Sequence, residues 1–395
     1  MVRNLLTIRY NPTEKPIFQK ALLNDFIPRN SDENGIFIEE LLLKNIRHQF
    51  KNKSDPIIVS LSSGIDSSLC LALLRKCFPK KKIIALCGVF DKTMDESKEA
   101  KKIADHFSAK FKIVKMPSIF LTMPKLISIT QKPKWNTYTH IIAQEAKKYG
   151  NDLVTGDGAD EIFGGYTFRY SKYLNLFQSR NNWKTNIINY LDCHNRDWVS
   201  DQQQMFGSSI KFDWNVIYNY FKSYFNNSLT PLSQVLFADF NGKLLFDFIP
   251  TSISISKYYK IRNFSPFLDS NIIKFGLGLP IQQKYDLHSK KGKKILRKIS
   301  KRLGIKHIEQ KKGFSPGLWL DWEKNGKKLF ESIIMTENAN IFKKNFIEYN
   351  WVVNSFEKLT QDGDIRYLNR LISILTLEIW YKMIILNEFD HNHKF

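Results

Sequence analysis

The stretch IIVSLSSGIDSSLCLALL, Ile57 to Leu74, decides the fold. Ile57, Ile58 and Val59 read as a buried strand, and Leu69 to Leu74 as the apolar start of a helix. Between them stand Ser62, Ser63, Gly64, Asp66, Ser67 and Ser68. A tight strand-to-helix turn aims backbone N–H groups and the positive end of a helix dipole at one point. The serine hydroxyls add donors there. The ligand this turn suits is phosphate-like, and an aspartate among the donors suggests a metal ion held with it.

Working outward, strands and helices alternate. Strands are expected at Ile57–Leu61, Ile83–Cys87, Phe111–Val114 and Asp152–Thr155, with helices at Ser67–Lys76 and Thr137–Tyr149. Another helix starts at Thr93-Met94-Asp95-Glu96, which fits a capping box, and turns Ala100, Ile103, Ala104 and Phe107 inward. Alternation of this kind predicts an α/β fold, a parallel sheet covered by helices. Ligands on such sheets bind at the carboxyl ends of the strands, where the Ser62 and Thr155 turns lie. Residues 1–50 read as an N-terminal extension, with LLTIRY as a strand and Ile36 to Phe50 as a helix. Residues 51–170 read as the α/β core. After Tyr166 the strand signals fade, and 171–395 read as a mostly helical lobe crossed by loops such as NFSPFLD and KKGFSPGLW.

Composition sets the class. Of 395 residues 43% are hydrophobic and 14% aromatic, which indicates a globular chain with a large core. The four cysteines, Cys70, Cys77, Cys87 and Cys193, form neither a CxxC pair nor a disulfide framework, which fits a reducing compartment. The start MVRNLLTIRYNPTEK has no apolar segment of signal-peptide length. LISILTLEIWYKMIIL is interrupted by Glu378 and Lys382 and reads as a buried helix, not a membrane span. The expectation is a cytoplasmic protein with no membrane partner. The net charge of +22 attracts acidic partners: nucleotides, carboxylates or nucleic acid. In the densest basic run, SKKGKKILRKISKRLG, Ile295, Leu296, Ile299 and Leu303 recur at helical spacing, so most of its lysines read as a solvated helix face.

A second constellation is LVTGDGADEIFGGY, Leu153 to Tyr166. Gly156, Gly158, Gly164 and Gly165 let the backbone approach a ligand closely. Asp157, Asp160 and Glu161 crowd three carboxylates together, which is costly unless a cation joins them or one stays protonated. Mg²⁺ takes carboxylate and phosphate oxygens, so Asp66 and Asp160 are suited to share it with a triphosphate.

SSGIDSS resembles the pyrophosphate-binding loop of N-type ATP pyrophosphatases, and GDGADEIFGGY resembles the synthetase domain of class B asparagine synthetases and their relatives, the β-lactam synthetases and lasso-peptide cyclases. FDKTMDESKEAKKIA, SPFLD, KKILRK, QKKGFSPG and LTLEIW follow in that family's order, so the resemblance spans roughly residues 50 to 385. It implies an N-type ATP pyrophosphatase fold, ATP and Mg²⁺ as cofactors, and adenylation of a carboxylate followed by amide formation. Ser62, Ser63, Gly64, Ser67 and Ser68 would hold pyrophosphate, and Asp66 and Asp160 would ligate Mg²⁺. Leu61, Gly88, Thr155 and Gly156 would line the adenosine site. Lys311 matches the catalytic lysine and Asp157 the catalytic acidic position, with Lys293 and Arg297 as further phosphate contacts.

The sequence departs from the family in three places. Val2 stands where glutamine-dependent members carry a cysteine, so ammonia, a separate glutaminase subunit or another amine donor is expected. Ser63 replaces a glycine of the loop. Arg262 and Phe264 replace the family's glutamate and arginine before PFLD, while QKPKWNTYTHII is basic and aromatic where the family tends to be acidic. Both stretches are expected to border the acceptor pocket and to change which carboxylate or amine fits. Aspartate is the first acceptor to consider. Other carboxylates closing to an amide or lactam are the alternative, and so is a tRNA-modifying adenylating enzyme, since the loop and the charge suit both. A third alternative keeps the fold without the reaction.

Overall fold

The computed structural model describes residues 1–53, 56–90, 96–194, 199–305 and 317–393. Two helices, α1 (Val2–Ile8) and α2 (Ile36–Phe50), precede the first strand, β1 (Ile57–Ser60). There follow α3 (Ile65–Cys77), β2 (Ile83–Val89), α4 (Ser97–His106), β3 (Lys110–Lys115), α5 (Ile119–Thr130), α6 (Thr139–Lys147), β4 (Asp152–Val154) and α7 (Ala159–Phe163). Among the described residues after Phe163 the regular elements are helices apart from one short strand, β5 (Arg262–Phe264). The five strands form a sheet in the order β3-β2-β1-β4-β5. All four pairings are parallel.

The strand residues explain the arrangement. Ile57, Ile58 and Val59 are all buried, as a central strand covered on both faces requires. At the edge, β3 reads KFKIVK and exposes Lys110, Lys115 and Ile113, and charge of this kind discourages pairing with another chain. Helix α2 buries Ile38, Leu42, Leu43, Ile46 and Phe50 at helical spacing, in the same core as Ile57, Val59 and Leu69. The first fifty residues, expected as an extension, thus share the core of the sheet.

Three expectations change. LLTIRY is a helix, not a strand: Leu6 packs in the second core with Met123 and Ile374, and its carbonyl accepts hydrogen bonds from Arg370 and, at 3.2 Å, from Gln202 Nε2. Tertiary packing selects the helix over a β-favouring composition. The start of NFSPFLD, read as a loop, belongs with Arg262 to the fifth strand, held by Thr155 N–H to Phe264 O at 2.9 Å and Arg262 N–H to Asn151 O at 2.7 Å. A three-residue strand is too short to show periodicity. The start of α4 shifts as well. Thr93, Met94 and Asp95 lie outside the described residues, while Glu96 occupies the N-cap position without a side-chain cap and accepts from Ser63 Oγ at 2.7 Å instead.

The late apolar stretch is a buried helix, Ile365–Trp380. Its Glu378 carboxylate accepts from the backbone N–H groups of Asn340, at 3.1 Å, and Ile341, at 3.0 Å. Among the described residues no helix is long and apolar enough to cross a membrane.

One buried ion pair ties the segment after the glycine-rich loop to the helical lobe. Arg169, on helix Thr167–Leu176, donates to Asp239 at 2.6 Å, and the Tyr190 hydroxyl donates to the same oxygen at 2.7 Å. Asp239→Ala strands a buried guanidinium, which costs about 3–5 kcal/mol. The expected outcome is a urea midpoint far below that of the parent chain, and an unchanged midpoint would show that the pair contributes nothing.

Candidate active site

The turn after β1 is closed by its own serines. Ser62 N–H donates to Ser67 Oγ at 3.0 Å, and Gly64 N–H to Ser62 Oγ at 3.1 Å. The two hydroxyls lie 3.0 Å apart. The first intrahelical bond runs from Ser68 N–H to Gly64 O at 3.2 Å, so the N–H groups of Ile65, Asp66 and Ser67 stand at the open first turn of α3. Ser62, Gly64, Asp66 and Ser67 line a cavity of about 300 Å³. Ser63 and Ser68 do not face it. Ser63 bonds Glu96, and Ser68 Oγ donates back to Gly64 O at 2.8 Å, so its hydroxyl braces the helix.

The second wall is the loop after β4. Gly158 begins α7 with φ +86°, a conformation that L side chains rarely adopt. Asp160 then faces Asp66 across the cavity, and the Lys293 ammonium forms ion pairs with both carboxylates. Burial opposes the charge on Lys293, but Asp160 and Asp66 outweigh it and hold the ammonium above the ordinary lysine range. Lys293 itself adopts a left-handed conformation, φ 56° and ψ 36°, at the start of helix Lys294–Arg302. A strained backbone of this kind costs of order 1–3 kcal/mol and persists where the surroundings enforce it. The solvated-face reading of this basic run therefore fails at Lys293, which is 5% exposed. Arg297 turns back to donate from Nε to Gly292 O at 2.9 Å and braces that turn, so it is not brought to the cavity.

Leu61, Cys87, Gly88 and Phe90, at the ends of β1 and β2, supply the apolar end of the cavity, with Thr155 and Gly156 opposite. Beyond Thr155 and Asp157 it meets a second chamber of about 400 Å³, and both residues line the two spaces. Asp157 Oδ2 accepts from Thr155 Oγ1 at 2.9 Å and from Asn263 Nδ2 at 3.4 Å. Loss of hydration pushes its carboxyl up, against these two bonds. Glu161 lies deeper. Burial first, and the Asp160 charge second, raise it to about 7, although Tyr166 O–H donates to it at 2.5 Å.

The stretches expected to border the acceptor divide. Lys134, Asn136, Thr137 and Thr139 line the second chamber, as do Ile261 and Asn263. Arg262 does not. Successive strand residues face opposite ways, and its guanidinium pairs with Asp152 and donates to Gln49 Oε1 at 2.6 Å. Lys311 lies outside the described residues. Sequence reasoning missed Glu96, Phe90, Phe248 and Lys243. Phe248 and Lys243 come from a π-helical segment, Phe240–Phe248, with no local signal of a site.

The donor set fits a divalent cation shared with phosphates. Two hard carboxylates, Asp66 and Asp160, face one another at the Lys293 ammonium, and such oxygens suit a hard divalent cation. Among the described residues no group of three or more His, Cys, Asp or Glu is placed to hold a metal.

A parallel sheet carrying a serine-rich turn after β1 and an acidic glycine-rich loop after β4 defines an α/β fold with its candidate site at the carboxyl ends of the strands. The chain matches the model of the asparagine synthase family over residues 38–382 and belongs to that family. It is 28% identical over 150 residues to asparagine synthetase (glutamine-hydrolyzing) 1 of Bacillus subtilis (strain 168), covering 35% of this chain and 23% of that protein. It is 27% identical over 169 residues to a putative asparagine synthetase (glutamine-hydrolyzing) 2 of Methanocaldococcus jannaschii, covering 41% and 30%. The matches thus span less than a third of these curated relatives. Among solved structures, a U34-tRNA thiolase of Methanococcus maripaludis aligns at 14% identity and a TM-score of 0.24, over 74% of this chain and 89% of that one, too slight a likeness to bear on function.

Two predictions test this geometry. A Cβ at Gly165 would overlap the Asp160 carboxylate and the Lys293 side chain. Gly165→Ala should therefore destabilise the fold by about 1–3 kcal/mol in urea unfolding, and an unchanged midpoint would show that the two groups have room to move. The second concerns pH. Glu161 holds its proton more tightly in the folded chain than when unfolded, so its contribution to stability is full below about pH 4.5 and is lost as pH rises through about 7. Glu161→Gln should remove this loss, making the variant more stable relative to the parent at pH 8 than at pH 5, by on the order of 2 kcal/mol. Parallel melting curves across that range would refute it.

Proposed function

We propose that this chain is an ATP-dependent, AMP-forming carbon–nitrogen ligase. The observation that carries the reading is the meeting of two spaces at Thr155 and Asp157, one walled by the anion turn and the paired carboxylates, the other open to an acceptor. The serine turn and the first-turn N–H groups of α3 suit the triphosphate, and Leu61, Cys87, Gly88 and Phe90 suit the adenosine. Asp66 and Asp160 would hold Mg²⁺, which supplies charge neutralisation on the phosphates when bound. An acceptor carboxylate oxygen attacks the α-phosphorus, and the bond to the leaving pyrophosphate breaks. The resulting acyl-adenylate lies beside Asp157. Ammonia or another amine then attacks the acyl carbon, AMP departs with its bonding electrons, and the nitrogen loses a proton.

Asp157 is the group placed to take that proton. Its raised carboxyl makes it a stronger base than an ordinary aspartate, and Thr155 and Asn263 fix its orientation. Lys293, between the two carboxylates, is the ammonium that can turn to phosphate once a divalent cation replaces it there. Lys311, by its place in the QKKGFSPG motif, is proposed to stabilise charge on the transferring phosphate. The names of the curated relatives put aspartate with ammonia first among the pairs to assay. A separate glutaminase subunit is one source of that ammonia.

The test is incubation with ATP, Mg²⁺, a panel of carboxylates and ammonia, with AMP, pyrophosphate and amide measured. The expected products are AMP and pyrophosphate in equal amounts, lost on Asp66→Ala. Asp157→Asn should keep carboxylate-dependent ATP–pyrophosphate exchange while amide formation falls about 10²-fold or more. Release of ADP, or no AMP with any acid of a broad panel, would overturn the proposal.

A further inference from the structure

The second chamber narrows the acceptor through its neutral groups. We infer that the acceptor is an acid with hydroxyl or amide groups along its chain, recognised by the hydroxyls of Thr251, Ser252 and Ser256. This rests on the adenylating reading of the site.

These three residues belong to helix Ile249–Tyr259, which follows the π-helical segment. Thr251, Ser252, Ile255 and Ser256 share one face of it, and that face lines the chamber. The face turns toward the sheet, since Ile255 lies in one core with Leu153 of β4 and Ile58 of β1. A helix face packed toward a sheet is ordinarily apolar, so three hydroxyls there are the informative departure. Their own helix does not absorb them. Elsewhere Thr130 Oγ1 donates to Leu126 O at 2.9 Å and Ser373 Oγ to Asn369 O at 2.8 Å, the bond to the carbonyl four residues back that helical hydroxyls make. Thr251 and Ser256 make no such bond, and among the described residues neither hydroxyl has a hydrogen-bond partner. Ser252 Oγ accepts from Asn263 Nδ2 at 2.6 Å and keeps its own proton to donate.

The rest of the lining points the same way. Asn136, Thr137 and Thr139 add neutral hydrogen-bonding groups at the approach to α6. The aliphatic members Ile142, Ala143, Leu153, Ile255 and Ile261 are at most 5% exposed and offer a ligand little surface. The cations are engaged within the protein: Lys134 pairs with the buried Asp247, Arg9 lies over the Trp135 ring, and Lys243 lies over Tyr166 and Phe248. An acid bearing hydroxyls or amides replaces the water on Thr251, Ser252 and Ser256 by direct bonds. An aliphatic acid of the same length dehydrates them and returns nothing, and a site built to hydrogen-bond its substrate rejects such an analogue. The chamber, about 400 Å³, has the volume of roughly a dozen waters, room beyond a four-carbon acid.

The experiment uses the full chain with Mg²⁺ and ATP and reads acid-dependent pyrophosphate release. Gluconate and hexanoate have the same carbon chain with and without hydroxyls. N-acetylglycylglycine and octanoate have chains of the same length with and without amides. Aspartate is assayed beside them. The expected result is a kcat/KM for gluconate or N-acetylglycylglycine about tenfold or more above that of its aliphatic match, and the pair with the larger ratio shows which group is recognised. Thr251→Val and Ser256→Ala, made separately, should each lower that ratio severalfold. A ratio that neither variant lowers would overturn the assignment to this helix. Equal kcat/KM within both pairs, or pyrophosphate release with aspartate alone, would overturn the inference and leave adenylation standing. Pyrophosphate release with none of the acids would overturn both.

Discussion

Two carboxylates and one ammonium hold the functional half of this molecule together. Asp66 comes from the turn after β1, Asp160 from the loop after β4, and Lys293 from a helix more than a hundred residues later. Neither carboxylate could approach the other without a cation, and Lys293 could not be buried without both.

The surrounding packing serves this juxtaposition. Gly165 leaves no room for a Cβ beside Asp160 and Lys293, and the Gly292 carbonyl, held by Arg297, fixes the turn from which Lys293 projects. On the other side Ser265 Oγ donates to the Asp157 carbonyl at 2.6 Å, so β5 sets the position of the acidic loop. A three-residue strand with little intrinsic stability thereby determines where Asp157 stands. The second chamber is similarly composite. Its lining side chains Arg9, Lys134 and Lys243 come from the end of α1, from the segment before α6 and from the π-helical stretch.

Much of the site was legible because its residues are local in sequence. A buried strand breaking into serines, glycine and aspartate before a helix has few physical explanations, and three carboxylates among glycines have fewer. Less legible were groups whose role depends on where a side chain points. Ser63 and Ser68 belong to the same hydroxyl-rich turn as Ser62 and Ser67, yet one bonds Glu96 and the other its own helix. Arg262 and Asn263 are adjacent, but the pleat sends one to Asp152 and the other into the chamber.

The sequence alone determined the strand–turn–helix unit, the alternating pattern that demands a parallel sheet, and the acidic glycine-rich loop, since each rests on hydrophobic periodicity and backbone freedom within a few residues. Tertiary structure decided that LLTIRY is a helix, that RNF is a strand, and that one lysine of a basic run is buried between two aspartates. Those outcomes depend on neighbours far away in the chain, and the Coulomb attraction that buries Lys293 exists only after both carboxylates have been brought face to face.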